Sequence, residues 1–195
     1  MCACGYTMAG FFRGYCMPVV KPHLKRCFVF IDGANLYKVL KELSLWCDYR
    51  NLIETSLNQL DFNVEICRIY FYTAYPDQFR EPENYKKTRA FLEKLQKWTK
   101  WELRLGRIVY RGDTPYTKGV DVKLVSDAIF FAAQDLYDLA FFVTGDADIS
   151  YCFYALKLLG KQIAVLQLPK SFSYELINES DYNLIFPKEI CQKRQ

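Results

Sequence analysis

Four aspartates occupy positions from which they could together hold a metal ion. Asp32 follows a short, continuous apolar run, and Asp146 and Asp148 follow a second run that ends at Thr144. Asp121 begins a long segment with apolar residues at helical spacing. Crowded carboxylates repel one another, and a hard divalent cation with oxygen ligands relieves that repulsion. These residue types therefore predict a Mg²⁺ or Mn²⁺ site, and ligation by oxygen alone favours chemistry on a phosphate.

Asp127 is a weaker candidate for the same site. It stands six residues beyond Asp121, which in a helix places it about 9 Å further along the axis and on another face. We keep Asp127 as an alternative to Asp121. The single histidine, His23, belongs to no such cluster, so a zinc hydrolase or a Ser-His-Asp enzyme lacks its parts. Each aspartate alone would more often shape a turn or cap a helix, and only their convergence supports catalysis.

Alternating strands and helices would bring these aspartates together. Short apolar runs predict buried strands, and segments with a period of 3.6 residues predict helices. The predicted strands are 27–31, 68–74, 103–110, 140–144 and 162–168, and the predicted helices are 35–45, 82–98, 121–136 and 147–159. This order predicts a three-layer αβα sandwich with a mainly parallel central sheet. Ligands of such a sheet bind beyond the carboxyl ends of the strands, where Asp32 and Asp146 are expected to lie.

The chain length of 195 residues suits one domain. We predict an irregular arm over 1–26, a folded domain over 27–187 and a tail over 188–195. No apolar stretch approaches the roughly 18 residues of a membrane span, so no membrane partner is expected.

The cysteines predict a reducing environment. Cys27, Cys47, Cys67 and Cys152 stand singly in apolar elements, where a free thiol behaves as a small hydrophobe. This pattern predicts a cytoplasmic protein. The arm carries three more cysteines before His23, but their spacing is a poor match to known zinc sites.

The positive charge of the chain is local. Residues 80–123 hold twelve Lys or Arg and six Asp or Glu, a net charge of +6, and the remainder carries −2. Cationic side chains bind phosphates and aromatic rings stack on unpaired bases, so this stretch is a candidate RNA-binding surface. Its interleaved cations and rings include Lys94, Lys97, Lys100, Arg104, Arg107, Arg111, Tyr85, Trp98, Trp101 and Tyr110. The alternative is a solvated helix face with Trp98 and Trp101 in the core.

Three motifs in this order resemble the NYN domain in its LabA-like branch, a group within the PIN-like nucleases. They are Phe30-Ile31-Asp32-Gly33-Ala34-Asn35-Leu36, Lys118-Gly119-Val120-Asp121-Val122 and Thr144-Gly145-Asp146-Ala147-Asp148. Each motif alone is weak, but three at the right spacing make coincidence improbable. The resemblance runs over 27–187 and includes a closing helix and strand within 176–186.

The resemblance implies a metal-dependent ribonuclease, most simply an endoribonuclease. Its metal ligands would be Asp32, Asp121, Asp146 and Asp148, with Asn35 assisting catalysis. A metal-activated water would attack a phosphodiester of single-stranded RNA in line. The expected substrate contacts are Lys86, Lys87, Arg89, Lys118 and Thr144, the last at a position where the family more often has serine.

Several alternatives stay open at this point. One or two ions, DNA in place of RNA, and a homodimer all fit the sequence. The main functional alternative is a module on the same fold that binds RNA or protein without cutting. A phosphatase with a nucleophilic aspartate two residues before Asp32 fails, because that residue is Phe30.

Overall fold

The computed structural model describes residues 24–112, 114–171 and 173–193. Along the chain the strands are β1 (Lys25–Asp32), β2 (Leu45–Trp46), β3 (Val64–Thr73), β4 (Trp101–Leu105), β5 (Arg107–Arg111), β6 (Thr114–Lys118), β7 (Leu139–Val143), β8 (Gln162–Gln167), β9 (Tyr182–Ile185) and β10 (Gln192–Lys193). The helices are α1 (Gly33–Glu42), α2 (Tyr49–Leu57), α3 (Pro82–Gln96), α4 (Val120–Ala133), α5 (Ser150–Leu158) and α6 (Tyr174–Glu179). Single 3₁₀ turns cover Ala147–Ile149 and Lys188–Ile190.

Six of these strands form one parallel sheet in the order β4-β3-β1-β7-β8-β9. Side chains alternate across a strand, so Cys27, Val29 and Ile31 of β1 join one buried cluster while Phe28 and Phe30 join the other. Helices α1, α2 and α3 cover the first face, and α4, α5 and α6 cover the second. The predicted three-layer αβα sandwich is confirmed.

The predicted strand 103–110 is wrong, because the chain divides there into β4 and β5. The break falls at Gly106, where a Cβ atom would stand 2.6 Å from the Val120 side chain at the start of α4. Beyond this close approach β5 leaves the main sheet and pairs with β6 as an antiparallel hairpin. Helix α2 was not predicted, although its N-cap Asp48 accepts hydrogen bonds from the N–H groups of Arg50 and Asn51.

The boundaries of the folded domain also differ from the predicted ones. Strand β1 starts at Lys25, and Arg26, assigned above to the arm, forms an ion pair with Asp138 at 2.7 Å. The predicted tail is attached to the domain, because β10 pairs with β2. The cysteines of the arm and His23 lie outside the described residues. Within the described ranges, no helix has the length and apolar character needed to cross a membrane.

A disulfide joins Cys47 to Cys191, so the prediction that Cys47 is a free thiol is wrong. The two cysteines are 144 residues apart in sequence, and only the pairing of β2 with β10 brings them together, which spacing along the chain cannot reveal. Cys27, Cys67 and Cys152 are free thiols, as predicted.

Replacing Cys191 tests the contribution of this bond. Because the bond closes a long loop in the unfolded chain, Cys191→Ser is expected to lower the free energy of unfolding by about 2–5 kcal/mol in oxidised protein. Urea denaturation with and without dithiothreitol measures the loss, and reduced wild type should match the variant. Equal stability of the variant and oxidised wild type would show that the bond contributes nothing.

Candidate active site

The candidate site lies at the carboxyl edge of the sheet, between β1 and β7. Strand β1 has β3 on one side and β7 on the other, so successive connections leave it in opposite directions. This reversal of strand order opens a crevice, which is the usual ligand site of such sheets. Asp32 is the last residue of β1, and Thr144 directly follows β7. The fold therefore brings the first and third sequence motifs to the same crevice.

Asp32 is buried, with 6% of its surface exposed. It caps α1 by accepting a hydrogen bond from the Asn35 N–H at 3.0 Å, and its other oxygen accepts one from the Thr144 hydroxyl at 3.3 Å. Burial raises the pKa of Asp32 to about 6, the charges of Asp121 and Asp146 add to the rise, and the two hydrogen bonds oppose it. Asp32 is thus a carboxylate whose negative charge the surrounding protein disfavours.

Asp121 stands in the first turn of α4 and faces the same cluster of charges. The turn into this helix is made at Gly119, whose φ of 77° suits glycine. Partial burial raises the pKa of Asp121, and the charges of Asp146 and Asp148 raise it further. The four predicted aspartates are therefore electrostatic neighbours. Among the described residues, none of the four forms an ion pair with a lysine or arginine.

The Asn35 side chain holds the loop after β7 in place, and Ser171 in turn holds Asn35. The Asn35 side-chain oxygen accepts hydrogen bonds from the Gly145 N–H at 3.3 Å and from the Ser171 hydroxyl at 3.1 Å. A Cβ atom on Gly145 would stand 1.9 Å from the Ser171 carbonyl oxygen, so only glycine fits. Ser171 was not predicted as a residue of the site. Its position after β8, at the same edge of the sheet, could have indicated it.

Asn35 and Thr144 position the aspartates. The Thr144 hydroxyl donates to Asp32 and accepts from the Asp146 N–H at 3.1 Å, and only 2% of the residue is exposed. A hydroxyl that is buried and used twice offers no surface to a substrate, so the predicted substrate contact at Thr144 is corrected to a positioning role. Asp146 in turn accepts from the Asp148 N–H at 3.0 Å, which orients the following turn.

Asp127 forms its contacts outside the group of four aspartates. Its carboxylate pairs with the Arg104 guanidinium at 3.1 Å and accepts a hydrogen bond from the Tyr72 hydroxyl at 3.0 Å. These partners neutralise and orient Asp127 between α4 and the sheet, so nothing in its contacts favours it over Asp121 as a ligand. Arg104, placed above on the RNA surface, is one of these internal partners.

The predicted RNA surface is divided in the structure. Lys86 pairs with Glu83 and Arg89 with Glu93 along α3, and all four side chains are mostly exposed. Lys87 forms no ion pair with any described residue and lines a cavity beside α3. Lys118 is exposed at the end of β6. Trp101 is buried, with 7% exposed, so it belongs to the core and cannot stack on a base.

The donor chemistry of the site fits Mg²⁺ or Mn²⁺ with few direct protein ligands. In the part of the chain that the structure describes, no three His, Cys, Asp or Glu side chains lie close enough together to hold a metal ion directly. Magnesium usually keeps several waters and takes only one or two carboxylates together with substrate phosphates. Unpaired carboxylates in reach of one another suit that mode, and a closed all-protein cage is absent from the described residues.

A doubly wound parallel sheet with unpaired aspartates at its switch point defines an α/β protein with an acidic cleft. The NYN domain model matches residues 26–187, and the chain belongs to the NYN domain family, within the PIN-like nuclease superfamily. It is also similar to the crystal structure of a protein of unknown function from Vibrio parahaemolyticus, with 22% identity and a TM-score of 0.66. That match covers 87% of this chain and 98% of the other, and it shows the fold. No curated protein matches the chain.

The role of Thr144 can be tested by removing its hydroxyl. Thr144→Val keeps the shape of the side chain, but Asp32 loses a donor and the Asp146 N–H loses its acceptor. We expect Mn²⁺ affinity to fall about 10- to 100-fold, as for other groups that orient metal ligands. Thr144→Ser keeps the hydroxyl and should stay close to wild type in a calorimetric Mn²⁺ titration. Equal affinities of the valine and serine variants would contradict the positioning role.

Proposed function

We propose that this protein is a metal-dependent ribonuclease that hydrolyses phosphodiester bonds of single-stranded RNA at the cleft between β1 and β7. The observation that carries the proposal is the group formed by Asp32, Asp121, Asp146 and Asp148, which lacks cationic partners among the described residues. Folding alone does not favour like charges gathered at one edge, so a ligand is the natural reason for them. Membership of a nuclease superfamily supports the choice of ligand.

Asp32 and Asp146 are the residues best placed to hold the ion, with Asp121 and Asp148 binding directly or through water. When bound, the ion would lower the pKa of a coordinated water and neutralise charge on the phosphate. Asp32 is fixed by the Asn35 N–H and the Thr144 hydroxyl, so it presents its charge without rearrangement. Asp148 is exposed, so it can orient an incoming water.

The Asn35 amide group is the remaining polar group at the cleft. Its oxygen is used by Gly145 and Ser171, and its Nδ2 has no acceptor among the described residues. An amide N–H is a suitable donor to a phosphate oxygen. Asn35 therefore both holds the β7 loop and offers one donor to the substrate.

The test is incubation of purified protein with labelled single-stranded RNA and DNA in Mg²⁺, Mn²⁺ or chelator. Asp146→Asn and Asp121→Asn should each lower the rate of RNA cleavage by about 100-fold or more, because the ion loses a charged ligand. Asp127→Asn is the matched control, since it removes a carboxylate on the same helix as Asp121 but outside the cluster. Circular dichroism checks that each variant is folded. Cleavage that survives in chelator would overturn the proposal.

A module that binds RNA without cutting is the second candidate. It is favoured by the cationic side chains of Lys87 and Lys118, which can bind phosphates without a metal ion. RNA bound tightly by wild type in Mg²⁺ and Mn²⁺ but left intact would establish this alternative. Preferential cleavage of DNA would support nuclease activity but would show that DNA, and not RNA, is the substrate.

Two finer assignments belong to the same proposal. From the three sequence motifs we infer that the chain belongs to the LabA-like branch of the family. The free thiols Cys27, Cys67 and Cys152 suit a cytoplasmic location, whereas the Cys47–Cys191 disulfide suits an oxidising one. Fractionation of cells with an antibody to the protein decides between the two locations.

A further inference from the structure

A cavity of about 610 Å³ opens on the α1–α3 side of the sheet, next to the candidate active site. It lies beyond the carboxyl end of β3 and is bounded by α1, α3 and the β5–β6 hairpin. Its volume falls in the range of pockets that hold small organic ligands. The proposed hydrolysis does not use this cavity, so its shape and chemistry need a separate explanation.

Five of the residues that line the cavity are aromatic. Phe71 of β3 forms part of the floor and stacks on Tyr49, with ring centroids 5.8 Å apart. Phe91 of α3 meets both rings edge to face. At the rim, Tyr37 and Trp46 are each 51% exposed. Flat rings on several sides suit a flat, aromatic ligand.

The polar groups of the cavity come from several elements, with α3 contributing three of them. Lys87 and Thr88 line one wall, and neither side chain makes a hydrogen bond or ion pair with a described residue. Lys41 of α1 is likewise unpaired on the opposite wall. Glu81 accepts hydrogen bonds from Asn84 at 2.8 Å and from Tyr110 at 3.2 Å. Among the described residues, the lining side chains without a hydrogen bond or ion pair thus include two cations and the hydroxyls of Thr73, Thr88 and Thr117, which favours a ligand that carries negative charge and hydrogen-bonding edges.

The cavity and the aspartates share the end of β1. Gly33 and Ala34, which directly follow Asp32, line the cavity. Asp32 pairs in register with Tyr72 of β3, and the cavity opens just beyond that strand. The aspartates lie at the neighbouring β1–β7 crevice, and adjacent strands are about 4.8 Å apart. One extended strand of nucleic acid can therefore reach both places.

We propose that this cavity binds an unpaired base of the RNA strand whose phosphate lies at the aspartates. The inference rests on the proposed function, because it assigns the base next to the phosphodiester that is cut. The exposed rings of Tyr37, Trp46 and Phe91 stack on the base. Thr88 meets its polar edge, and Lys41 and Lys87 face the flanking phosphates. Base stacking on aromatic side chains tolerates any sequence, so the cavity would select single strands over duplexes.

The first experiment measures binding of nucleoside 5′-monophosphates to the full chain in chelator. Ribose 5-phosphate is the matched ligand, because it keeps the sugar and phosphate and lacks the base. We expect AMP, GMP, CMP and UMP to quench tryptophan fluorescence and ribose 5-phosphate to bind at least about 10-fold more weakly, given the strength of one stacked base. Quenching should be lost in Trp46→Phe, which assigns the signal to the cavity rim.

The second experiment fills the cavity. Thr88→Phe adds a ring inside it, and Ala90→Phe adds the same ring on the exposed side of α3. We expect Thr88→Phe to weaken nucleotide binding about 10-fold or more and Ala90→Phe to leave it within about twofold. Equal affinity for ribose 5-phosphate and AMP, or binding of an apolar dye such as ANS without binding of nucleotides, would overturn the assignment.

The two proposals fail in different ways. If wild type cleaves RNA in Mg²⁺ while Thr88→Phe changes neither nucleotide affinity nor the KM for RNA, the cavity assignment is wrong and the nuclease stands. If nucleotides bind in a manner that Thr88→Phe abolishes but no RNA is cut, the nuclease is wrong and the base site stands.

Discussion

Asp32→Asn is expected to make the metal-free protein more stable while it abolishes metal-dependent cleavage. The wild-type carboxylate is buried beside Asp121 and Asp146, so its negative charge destabilises the fold when no cation is present. The amide oxygen of asparagine can still accept from the Asn35 N–H, and its Nδ2 can donate to the Thr144 hydroxyl, without that charge. We expect a gain of up to about 3 kcal/mol in the free energy of unfolding at pH 7, from the size of the pKa shift.

The raised pKa of Asp32 also determines how the stability of the protein depends on pH. The folded-state pKa of Asp32 is about 6, above its ordinary value of 3.8. Between about pH 4 and pH 6 the folded protein therefore binds more protons at Asp32 than the unfolded chain does. Stability from this group is highest below pH 4 and falls as the pH rises through 6. The difference between wild type and Asp32→Asn should shrink as the pH is lowered.

Thermal unfolding in chelator and in Mg²⁺ measures both effects. Mg²⁺ should raise the melting temperature of wild type, since it binds only the folded state, and should leave Asp32→Asn unchanged. Asp61→Asn, an exposed aspartate on the loop after α2, is the control and should respond to Mg²⁺ like wild type. A variant that is less stable than wild type in chelator at pH 7 would contradict the expected repulsion.

Gly145→Ala is expected to damage the site more than the fold. The new Cβ would stand 1.9 Å from the Ser171 carbonyl oxygen and 2.4 Å from its hydroxyl, so the β7 loop must move. That movement breaks the hydrogen bonds that Gly145 and Ser171 donate to Asn35 and displaces Asp146. We expect cleavage to fall about 100-fold, since small displacements of catalytic groups have effects of that order. Stability should fall by about 1–3 kcal/mol from overpacking.

Gly160→Ala is the control that separates the loss of cleavage from the loss of stability. A Cβ there meets nothing within 4 Å, but the φ of 71° is unfavourable for alanine, which costs about 1–2 kcal/mol. The two variants should therefore lose similar stability, whereas only Gly145→Ala loses cleavage and Mn²⁺ affinity. Urea denaturation, Mn²⁺ titration and RNA cleavage make the comparison. If both variants cleave RNA equally well, the rigid Gly145 loop is not needed for activity.

Much of the fold could be predicted because its signals are local. The buried runs that became β1, β7 and β8 are apolar on both faces, and α4 shows a clear helical period. The β5–β6 hairpin could not be predicted this way, because its break depends on a close contact between Gly106 and Val120. The Cys47–Cys191 disulfide depends on a pairing 144 residues apart. Both features are set by tertiary contacts.

The candidate site likewise has features that the sequence predicts and features that depend on tertiary contacts. The positions of Asp32 and Asp146 follow from the rule that strand ends meet at one edge. The role of Thr144 does not, because only burial distinguishes a hydroxyl that orients Asp32 from one that meets the substrate. The pairing of Asp127 with Arg104 joins α4 to β4. Spacing along the helix made Asp127 a weaker ligand but could not name its partner.

The central sheet also separates the cavity on the α1–α3 side from the helices α4 and α5 on the other side. Cys47 packs in the cluster on the α1–α3 side, directly after Trp46 at the cavity rim, whereas α4 and α5 cover the opposite side. Reduction of the Cys47–Cys191 bond should therefore loosen the side that contains the proposed base-binding cavity and spare the side on which the aspartates lie. Cys191→Ser would then raise the KM for RNA while kcat stays near wild type. Substrate affinity would thus respond to the redox state of one bond while the chemical rate does not.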